Sequence, residues 1–158
     1  MPTTVRIATS AEKDVIQNID QFYLYEFARF MPAFYKLGDD GLFHDEDYLP
    51  YWEDPGKFPY LILQDDELAG FALVEDKGSE RLMAQFFVLY KFQGKGVAKQ
   101  AATKIFDLHP GKWTVQSLLN NPKSEGFWPR IIANYTFGTY EVKLQEPRKT
   151  HNEYKFIA

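Results

Sequence analysis

The fold that the sequence predicts is decided by residues 81–108, RLMAQFFVLYKFQGKGVAKQAATKIFDL. The segment begins with an apolar run from Leu82 to Leu89, which is rich in β-forming residues and predicts a buried strand. A turn with two glycines follows at residues 93–98, QGKGVA. Apolar residues then recur at the spacing of one helix face as far as Leu108. The helix is predicted to end before Pro110, because the residue preceding a proline is disfavoured in the α conformation.

This succession of strand, glycine turn and helix predicts an anion-binding site. Glycines let the backbone approach a ligand closely, and the first N–H groups of a helix point at whatever lies before it. A Walker loop would need the pattern GxxxxGK[ST], which the segment lacks. A dinucleotide-binding fingerprint would need a third glycine where Lys99 stands. An ordinary β–α turn with capping glycines is the alternative that the residues alone leave open.

The turn resembles the coenzyme A pyrophosphate loop of the GNAT family of N-acetyltransferases. In that family a central strand runs into the pattern Q/R-x-x-G-x-G/A, and Gln93, Gly96 and Ala98 match it. The resemblance implies the acyl-CoA N-acyltransferase fold of class α/β (α+β), a mixed, mostly antiparallel sheet of about six to seven strands flanked by helices. It also implies acetyl-CoA as the cosubstrate, no metal, and direct attack of a primary amine on the acetyl thioester.

The remaining elements are predicted in an order that resembles the same family. Thr9 and Glu12 form a capping box before a helix whose apolar stripe runs from Ile16 to Phe30, with Phe22 widening it. A further helix is predicted to begin at Pro122. Because a strand–helix–strand crossover joins parallel strands, the fifth strand is expected to run parallel to the fourth. Besides the strand at 82–89, strands are predicted at 5–8, 58–64, 68–74, 112–119, 140–144 and 154–157.

The composition limits the class of protein. With 158 residues, 45% of them hydrophobic, the chain is expected to form a single N-acetyltransferase domain over residues 1–158. The net charge of −4 argues against a nucleic-acid partner. The absence of cysteine and the wide separation of the three histidines predict neither disulfides nor a metal site. The sequence shows no apolar stretch of membrane-spanning length and no signal-peptide pattern, so we expect a cytoplasmic protein without a membrane partner, either a monomer or a homodimer.

The family resemblance also implies coenzyme-binding residues. Backbone groups of the central strand would bond the pantetheine amides, and the N–H groups of residues 94–98 would hold the pyrophosphate. A second segment matches the family through Asn121, Ser124 and the aromatic pair Phe127 and Trp128. The implied coenzyme-binding residues are Phe87, Val88, Leu89, Gln93, Gly94, Lys95, Gly96, Val97, Ala98, Asn121 and Trp128.

Two departures from the family pattern concern the catalytic residues. Many members carry a glutamate on the central strand as general base; the nearest candidate is Gln85, which cannot titrate. Many also carry a tyrosine that protonates the leaving thiolate, at a position that Trp128 occupies. Gln85 and Tyr135 are therefore the predicted catalytic residues, with Tyr140 as an alternative source of the proton and a water chain to a carboxylate as an alternative base.

An acidic segment, residues 39–54, holds seven Asp or Glu residues and no Lys or Arg. It is interpreted either as a solvated loop with a short helix at 45–52 or as an acidic lip that attracts a cationic acceptor. Three functions therefore remain open. The chain is predicted to acetylate a primary amine of a small molecule or peptide, to bind acetyl-CoA without catalysis, or to bind a partner through the acidic segment.

Overall fold

The computed structural model describes residues 2–118, 122–143 and 151–158. Within these ranges the strands and helices follow the predicted order. The strands are β1 (Thr3–Ile7), β2 (Lys57–Gln64), β3 (Glu67–Asp76), β4 (Arg81–Val88), β5 (Lys112–Leu118), β6 (Glu141–Lys143) and β7 (His151–Ile157). The α-helices are α1 (Lys13–Ala28), α2 (Val97–Leu108) and α3 (Pro122–Thr136). Single 3-10 turns lie at Ser10–Glu12, Leu49–Trp52 and Tyr90–Phe92.

The described strands form one sheet in the order β1-β2-β3-β4-β5-β7-β6. The pairing of β4 with β5 is parallel, and the other pairings are antiparallel. The helix α2 crosses over from β4 to β5, which makes these two strands parallel as predicted. The predicted fold class, a mixed and mostly antiparallel sheet flanked by helices, is confirmed.

The sheet is covered on both faces, and the core therefore has two parts. On one face α2 and α3 pack against the strands around Phe106, Trp113 and Ile132. On the other face α1 and the turn Leu49–Trp52 pack around Phe71. Of the helices in the described ranges, none is long and apolar enough to cross a lipid bilayer.

The predicted capping box forms at the 3-10 turn Ser10–Glu12, which leads directly into α1. The Thr9 N–H donates to Glu12 Oε1 over 2.9 Å, and Arg6 donates to both carboxylate oxygens of Glu12 over 2.8 Å each. These hydrogen bonds lower the pKa of Glu12 to about 2, and the one from Arg6 has the larger effect. One part of the predicted helix stripe is wrong, because Phe22 is 59% exposed. At 100° per residue, position 22 lies opposite the buried positions of Asp20 and Leu24.

Several predicted bounds differ from the structure. The helix predicted at 45–52 is reduced to the 3-10 turn Leu49–Trp52, which buries Tyr51 against α1 and β2. The last strand begins at His151, three residues before the predicted start, because its pairing with β5 extends to Leu118. The predicted strand ends at residues 119 and 144 lie outside the described residues.

Gly70 on β3 lies against the backbone of β4 with no room for a side chain. A Cβ atom at Gly70 would lie 2.0 Å from the carbonyl oxygen of Phe87 on β4. Gly70→Ala should therefore lower the free energy of unfolding by about 2–3 kcal/mol, since the strands must separate to admit the methyl group. Gly126→Ala is the matched control, because in the described part of the chain the added Cβ would meet no atom from outside its own helix backbone within 4 Å, and alanine favours the helix by about 1 kcal/mol. Equal stabilities of the two variants in denaturant unfolding would refute the close approach.

Candidate active site

A cleft opens where β4 and β5 separate. The two strands pair only at residues 81–83 and 113–115. Directly after this pairing β4 carries a bulge, because Leu73 and Val74 of β3 face Gln85 and Met83 and leave Ala84 unpaired. A bulge bends its strand and increases the local twist. Beyond it the strands enclose a cleft of about 650 Å³, which reaches from α1 through the gap to the start of α2.

The backbone groups of β4 that face this gap follow from its pairing with β3. The Leu89 N–H donates to the Ala69 carbonyl over 2.8 Å, and the Phe87 oxygen points at Gly70. Alternate residues of a strand direct their backbone groups to opposite neighbours. Phe86 and Val88 therefore face the gap, whereas the backbone groups of Phe87 and Leu89 face β3, and the coenzyme-binding role of this stretch stays a prediction.

One gap-facing acceptor already has a partner in the structure. The side-chain Nε2 of Gln93 donates to the Val88 carbonyl over 2.9 Å. Because this amide comes from the glycine turn, it ties the turn to the end of β4. The predicted residues Val88 and Gln93 are thereby brought together on the cleft wall.

The glycine turn delivers an open helix N-terminus to one end of the cleft. Gly94 and Gly96 have φ values of 75° and 80°, which L-residues adopt only with strain. Gly96 is the N-cap of α2, and no side chain in the described ranges caps that helix. Gly94, Gly96 and Ala98 line the cleft, while the Lys95 side chain is exposed and Val97 is buried in the core.

The helix α3 forms an aromatic wall of the cleft. The Trp128 ring is 6% exposed and lies 5.1 Å from the ring of Phe86, which also stacks on Phe127 at 5.9 Å. Trp128 thus lines the cleft and also belongs to the core through its packing against β4, and its role in coenzyme binding stays a prediction. Asn121, the other residue predicted from this segment, lies outside the described residues.

The other end of the cleft is formed by α1. The hydroxyl of Tyr23 donates to Oε1 of Gln85 over 2.7 Å, which holds the predicted catalytic amide at the cleft wall. Burial raises the pKa of Tyr23, so its hydroxyl stays protonated. Glu26, Phe27 and Phe30 complete this end of the cleft.

Tyr135, the other predicted catalytic residue, does not line the cleft. Its hydroxyl donates to Oδ1 of Asp107 over 2.7 Å, and burial together with that carboxylate raises its pKa to about 12. The ring lines a separate hollow between α2 and α3, and the structure does not bring it to Gln85. Tyr140, the alternative, packs beside Tyr154 with ring centroids 6.3 Å apart. The catalytic role of Tyr135 stays a prediction.

The acidic segment lies beside α1 but does not line the described part of the cleft. Three of its carboxylates make local contacts: Asp40 with His44, Asp47 with the Leu49 N–H, and Asp54 with the Gly56 N–H. The pKa of Asp20 on α1 is raised to about 7, mainly by burial and to a smaller extent by the nearby negative charge of Glu46.

Asp20 is a buried carboxyl group, 4% exposed, that accepts a hydrogen bond from Tyr48 over 2.8 Å. Sequence reasoning missed Asp20 and Glu26 because both are polar positions in an amphipathic helix, and it assigned Tyr23 to the core stripe. The spacing of Tyr23 and Glu26, one helical turn apart, was the signal available for their common face. Within the described ranges, no group of three or more His, Asp or Glu side chains is placed to hold a metal ion.

Sequence comparison identifies the class of protein that this fold and cleft define. A family model described as the acetyltransferase (GNAT) family matches residues 22–131. The chain therefore belongs to the acetyltransferase (GNAT) family, as the glycine-turn pattern predicted. Among curated proteins no sequence match was found.

Solved structures share the fold over the whole chain. An acetyltransferase from Thermus thermophilus is 14% identical with a TM-score of 0.69, over 100% of this chain and 98% of that chain. The PaiA N-acetyltransferase from Thermoplasma acidophilum, solved with coenzyme A, is 9% identical with a TM-score of 0.64, over the full length of both chains. YncA from Salmonella typhimurium, a putative acetyltransferase solved with acetyl-CoA, is 13% identical with a TM-score of 0.64, over 99% of this chain and 94% of that chain.

Proposed function

We propose that the protein transfers the acetyl group of acetyl-CoA to a primary amine of a small molecule or peptide, as a single N-acetyltransferase domain over residues 1–158. The observation that carries this proposal is the cleft between β4 and β5, which joins an uncapped helix N-terminus at one end to a carboxylate and aromatic rings at the other. The two ends suit the two substrates of such a reaction, an anionic coenzyme and a cationic amine.

The coenzyme end has the groups that a pyrophosphate needs. The first N–H groups of α2 lack a side-chain cap, and the helix dipole places partial positive charge there. The cations Lys99 and Arg130 line the same part of the described cleft. Family members of similar fold have been solved with coenzyme A or acetyl-CoA, which supports the same ligand for this chain.

The pantetheine arm would run along β4, where Phe86 and Val88 face the gap. An extended ligand there adds a partial strand to the open edge, as in other forms of β-augmentation. Because Gln93 holds the Val88 carbonyl, its side chain must either turn away or remain as a wall of the pantetheine site. The thioester would then lie close to Ala84 and Gln85, where the strands begin to separate.

The chemistry requires no nucleophile from the protein. The amine nitrogen attacks the acetyl carbonyl carbon directly, and holding the two substrates in contact supplies much of the rate. A backbone N–H in the gap would stabilise the oxyanion. Gln85 cannot accept the proton of the amine, since an amide does not titrate, so it is expected to orient groups by hydrogen bonding.

A non-catalytic acetyl-CoA-binding module is the second candidate. Gln85 stands where many family members have a titrating base, and its Oε1 is already engaged by Tyr23. A panel of amines separates the two candidates. Acetylation of any amine with release of coenzyme A supports the enzyme, whereas tight binding without transfer over the whole panel supports the module.

Acetyl-CoA should raise the melting temperature of the protein. At a hundredfold excess over Kd the expected stabilisation is about 2.7 kcal/mol, or roughly 5–10 °C for a domain of this size. Differential scanning fluorimetry measures the shift, with pantetheine, which lacks the pyrophosphate, as the matched control that should produce a much smaller one. An unchanged melting temperature at millimolar acetyl-CoA would contradict both candidate functions.

A further inference from the structure

Acetyl transfer to an amine liberates a proton from nitrogen, so the acceptor end of the cleft needs a group to receive it. In the described part of the chain, the titratable residues that line the cleft are Tyr23, Glu26, Lys99 and Arg130. Lys99 and Arg130 carry positive charge, and Tyr23 is kept protonated by the rise of its pKa on burial. Glu26 is the one carboxylate of this set, and a carboxylate is a group that can serve as a general base.

The charges of the cleft are also divided between its two ends. Lys99 belongs to α2 and Arg130 to α3, the helices that form the coenzyme end. Glu26 belongs to α1, at the opposite end. A pyrophosphate and an ammonium group entering this cleft are therefore drawn to different ends, and the amine arrives at the end that holds the carboxylate.

The geometry of α1 places Glu26 on the same wall of the cleft as Tyr23. Tyr23, Glu26 and Phe27 follow the spacing i, i+3 and i+4, which is one face of a helix, and Phe30 lies just beyond the end of α1. Side chains three positions apart on a helix are neighbours, with Cβ atoms about 5–6 Å apart. The Tyr23 hydroxyl contacts Gln85 where β4 and β5 separate, and Glu26 follows Tyr23 by one helical turn and lines the same cleft.

The Glu26 carboxylate is held but still accessible. Its Oε2 pairs with Nη1 of Arg29 over 3.3 Å, and its side chain is 38% exposed. The pair fixes one oxygen and leaves the other to meet a substrate or a water molecule. The neighbouring rings of Phe27 and Phe30 give the cleft wall an apolar surface against which the carbon chain of an amine can pack.

We propose that Glu26 is the catalytic residue that accepts the amine proton, directly or through one water molecule, and that Tyr23 is a positioning residue that orients Gln85. This inference rests on the proposed acetyltransferase function. The bound ammonium group first loses one proton to solvent, and the neutral amine nitrogen then forms a C–N bond with the acetyl carbonyl carbon while the C–S bond breaks with its electron pair going to sulfur. The surplus proton on nitrogen goes to the Glu26 carboxylate, the thiolate takes one proton from solvent, and Glu26 returns its proton to solvent.

Other carboxyl groups near α1 do not meet these conditions. Asp20 is 4% exposed and bonded to Tyr48, and it does not line the cleft. Asp45 and Glu46 belong to the acidic segment and likewise do not line the described cleft. Asp45 and Glu46 instead interact electrostatically with Asp20 and help to raise its pKa.

The wild-type protein is first assayed with acetyl-CoA and each of four amines: spermidine, cadaverine, L-lysine amide and kanamycin. Variants of the full chain are then compared in steady-state kinetics with the amine that gives the highest wild-type kcat/KM. Glu26→Gln should lower kcat about 100-fold or more, the usual contribution of a general base. The melting-temperature shift with acetyl-CoA should stay unchanged, which shows that the variant folds and binds the coenzyme. Glu26→Asp should recover part of kcat, and Glu141→Gln, at an exposed site on β6, should behave as wild type.

The role of Tyr23 has its own readout. Tyr23→Phe and Gln85→Ala should each lower kcat, and the double variant should lose no more than the worse single one, because both act through one hydrogen bond. Independent, multiplying losses would overturn the positioning role.

Several kinetic results would overturn the proposed role of Glu26. A Glu26→Gln variant that raises only KM shows charge capture without proton transfer and overturns the proposal, as does an unchanged kcat or a loss of the acetyl-CoA shift. If the wild-type protein binds acetyl-CoA and acetylates none of the four amines, the proposed function fails first, before any variant is compared.

Discussion

Gly96→Val should abolish acetyl-CoA binding, raising Kd by at least about 100-fold, which corresponds to about 2.7 kcal/mol. Gly96 is the N-cap of α2 with a φ value of 80°, and it lines the cleft beside the uncapped N–H groups. A valine side chain at that point would occupy the path by which a pyrophosphate reaches those groups. Isothermal titration calorimetry with acetyl-CoA measures the change.

A matched control is needed because valine at a positive φ also strains the backbone, by roughly 1–2 kcal/mol. Gly78, in the turn between β3 and β4, has a φ value of 86° and no heavy atom within 4 Å of an added Cβ. Gly78→Val should therefore lose a similar amount of stability and keep its affinity for acetyl-CoA. If both variants bind the coenzyme as wild type does, the glycine turn is only a connection between β4 and α2.

The part of the site that could be predicted from the sequence is the part that local rules determine. The apolar run of β4, the two glycines and the helical spacing of α2 lie within 28 consecutive residues, 81–108. Each element is specified by its own residues, through β-propensity, positive φ and apolar periodicity. For the same reason the parallel pairing of β4 with β5 followed from a crossover rule that needs no knowledge of distant contacts.

The acceptor end could not be predicted because it is assembled from distant segments. The hydrogen bond from Tyr23 to Gln85 joins residues 62 positions apart, and no local pattern specifies it. Helical spacing placed Tyr23 on the core face of α1, but it could not show that the hydroxyl reaches the edge of that core. Likewise, Tyr135 was predicted as a source of the proton because Trp128 stands at the family's tyrosine position, while the direction of its hydroxyl towards Asp107 depends on the packing of α3 against α2.

The direction of the backbone groups of β4 also could not be predicted from the sequence. Of the predicted run Phe87, Val88 and Leu89, the first two lie on β4 and line the cleft, but the sequence did not reveal which backbone groups face the gap. That alternation depends on the bulge at Ala84 and on the register with β3. A shift of one residue reverses every backbone and side-chain direction.

Asp20→Asn should stabilise the protein at pH 8 and leave its stability unchanged near pH 4. Burial, opposed by the hydrogen bond from Tyr48 and reinforced by the charges of Glu46 and Asp45, raises the pKa of Asp20 from 3.8 to about 7. Below pH 4 the carboxyl group becomes protonated in the folded and the unfolded chain alike, and at pH 4 the partial ionisation of the unfolded chain changes the free energy of unfolding by less than about 1 kcal/mol. As the pH rises to about 7, the unfolded chain loses the proton while the folded chain retains it, so stability falls with pH.

The size of the effect follows from the difference between the two pKa values. It amounts to on the order of 4 kcal/mol above pH 7, or roughly 10 °C in melting temperature for a domain of this size. Asparagine has no proton to lose and still accepts the hydrogen bond of Tyr48 through its amide oxygen. Melting temperatures of the two proteins between pH 4 and pH 8 measure the divergence.

Asp14→Asn is the matched control, since it removes a carboxylate from an exposed position of the same helix. Its melting temperature should follow the wild-type curve across this range, because an exposed carboxylate keeps its hydration on folding. A constant offset between Asp20→Asn and wild type from pH 4 to pH 8 would show that Asp20 is ionised in the folded protein. In that case Tyr48 stabilises the charge by more than its burial costs, and the carboxylate beside α1 is a permanent anion.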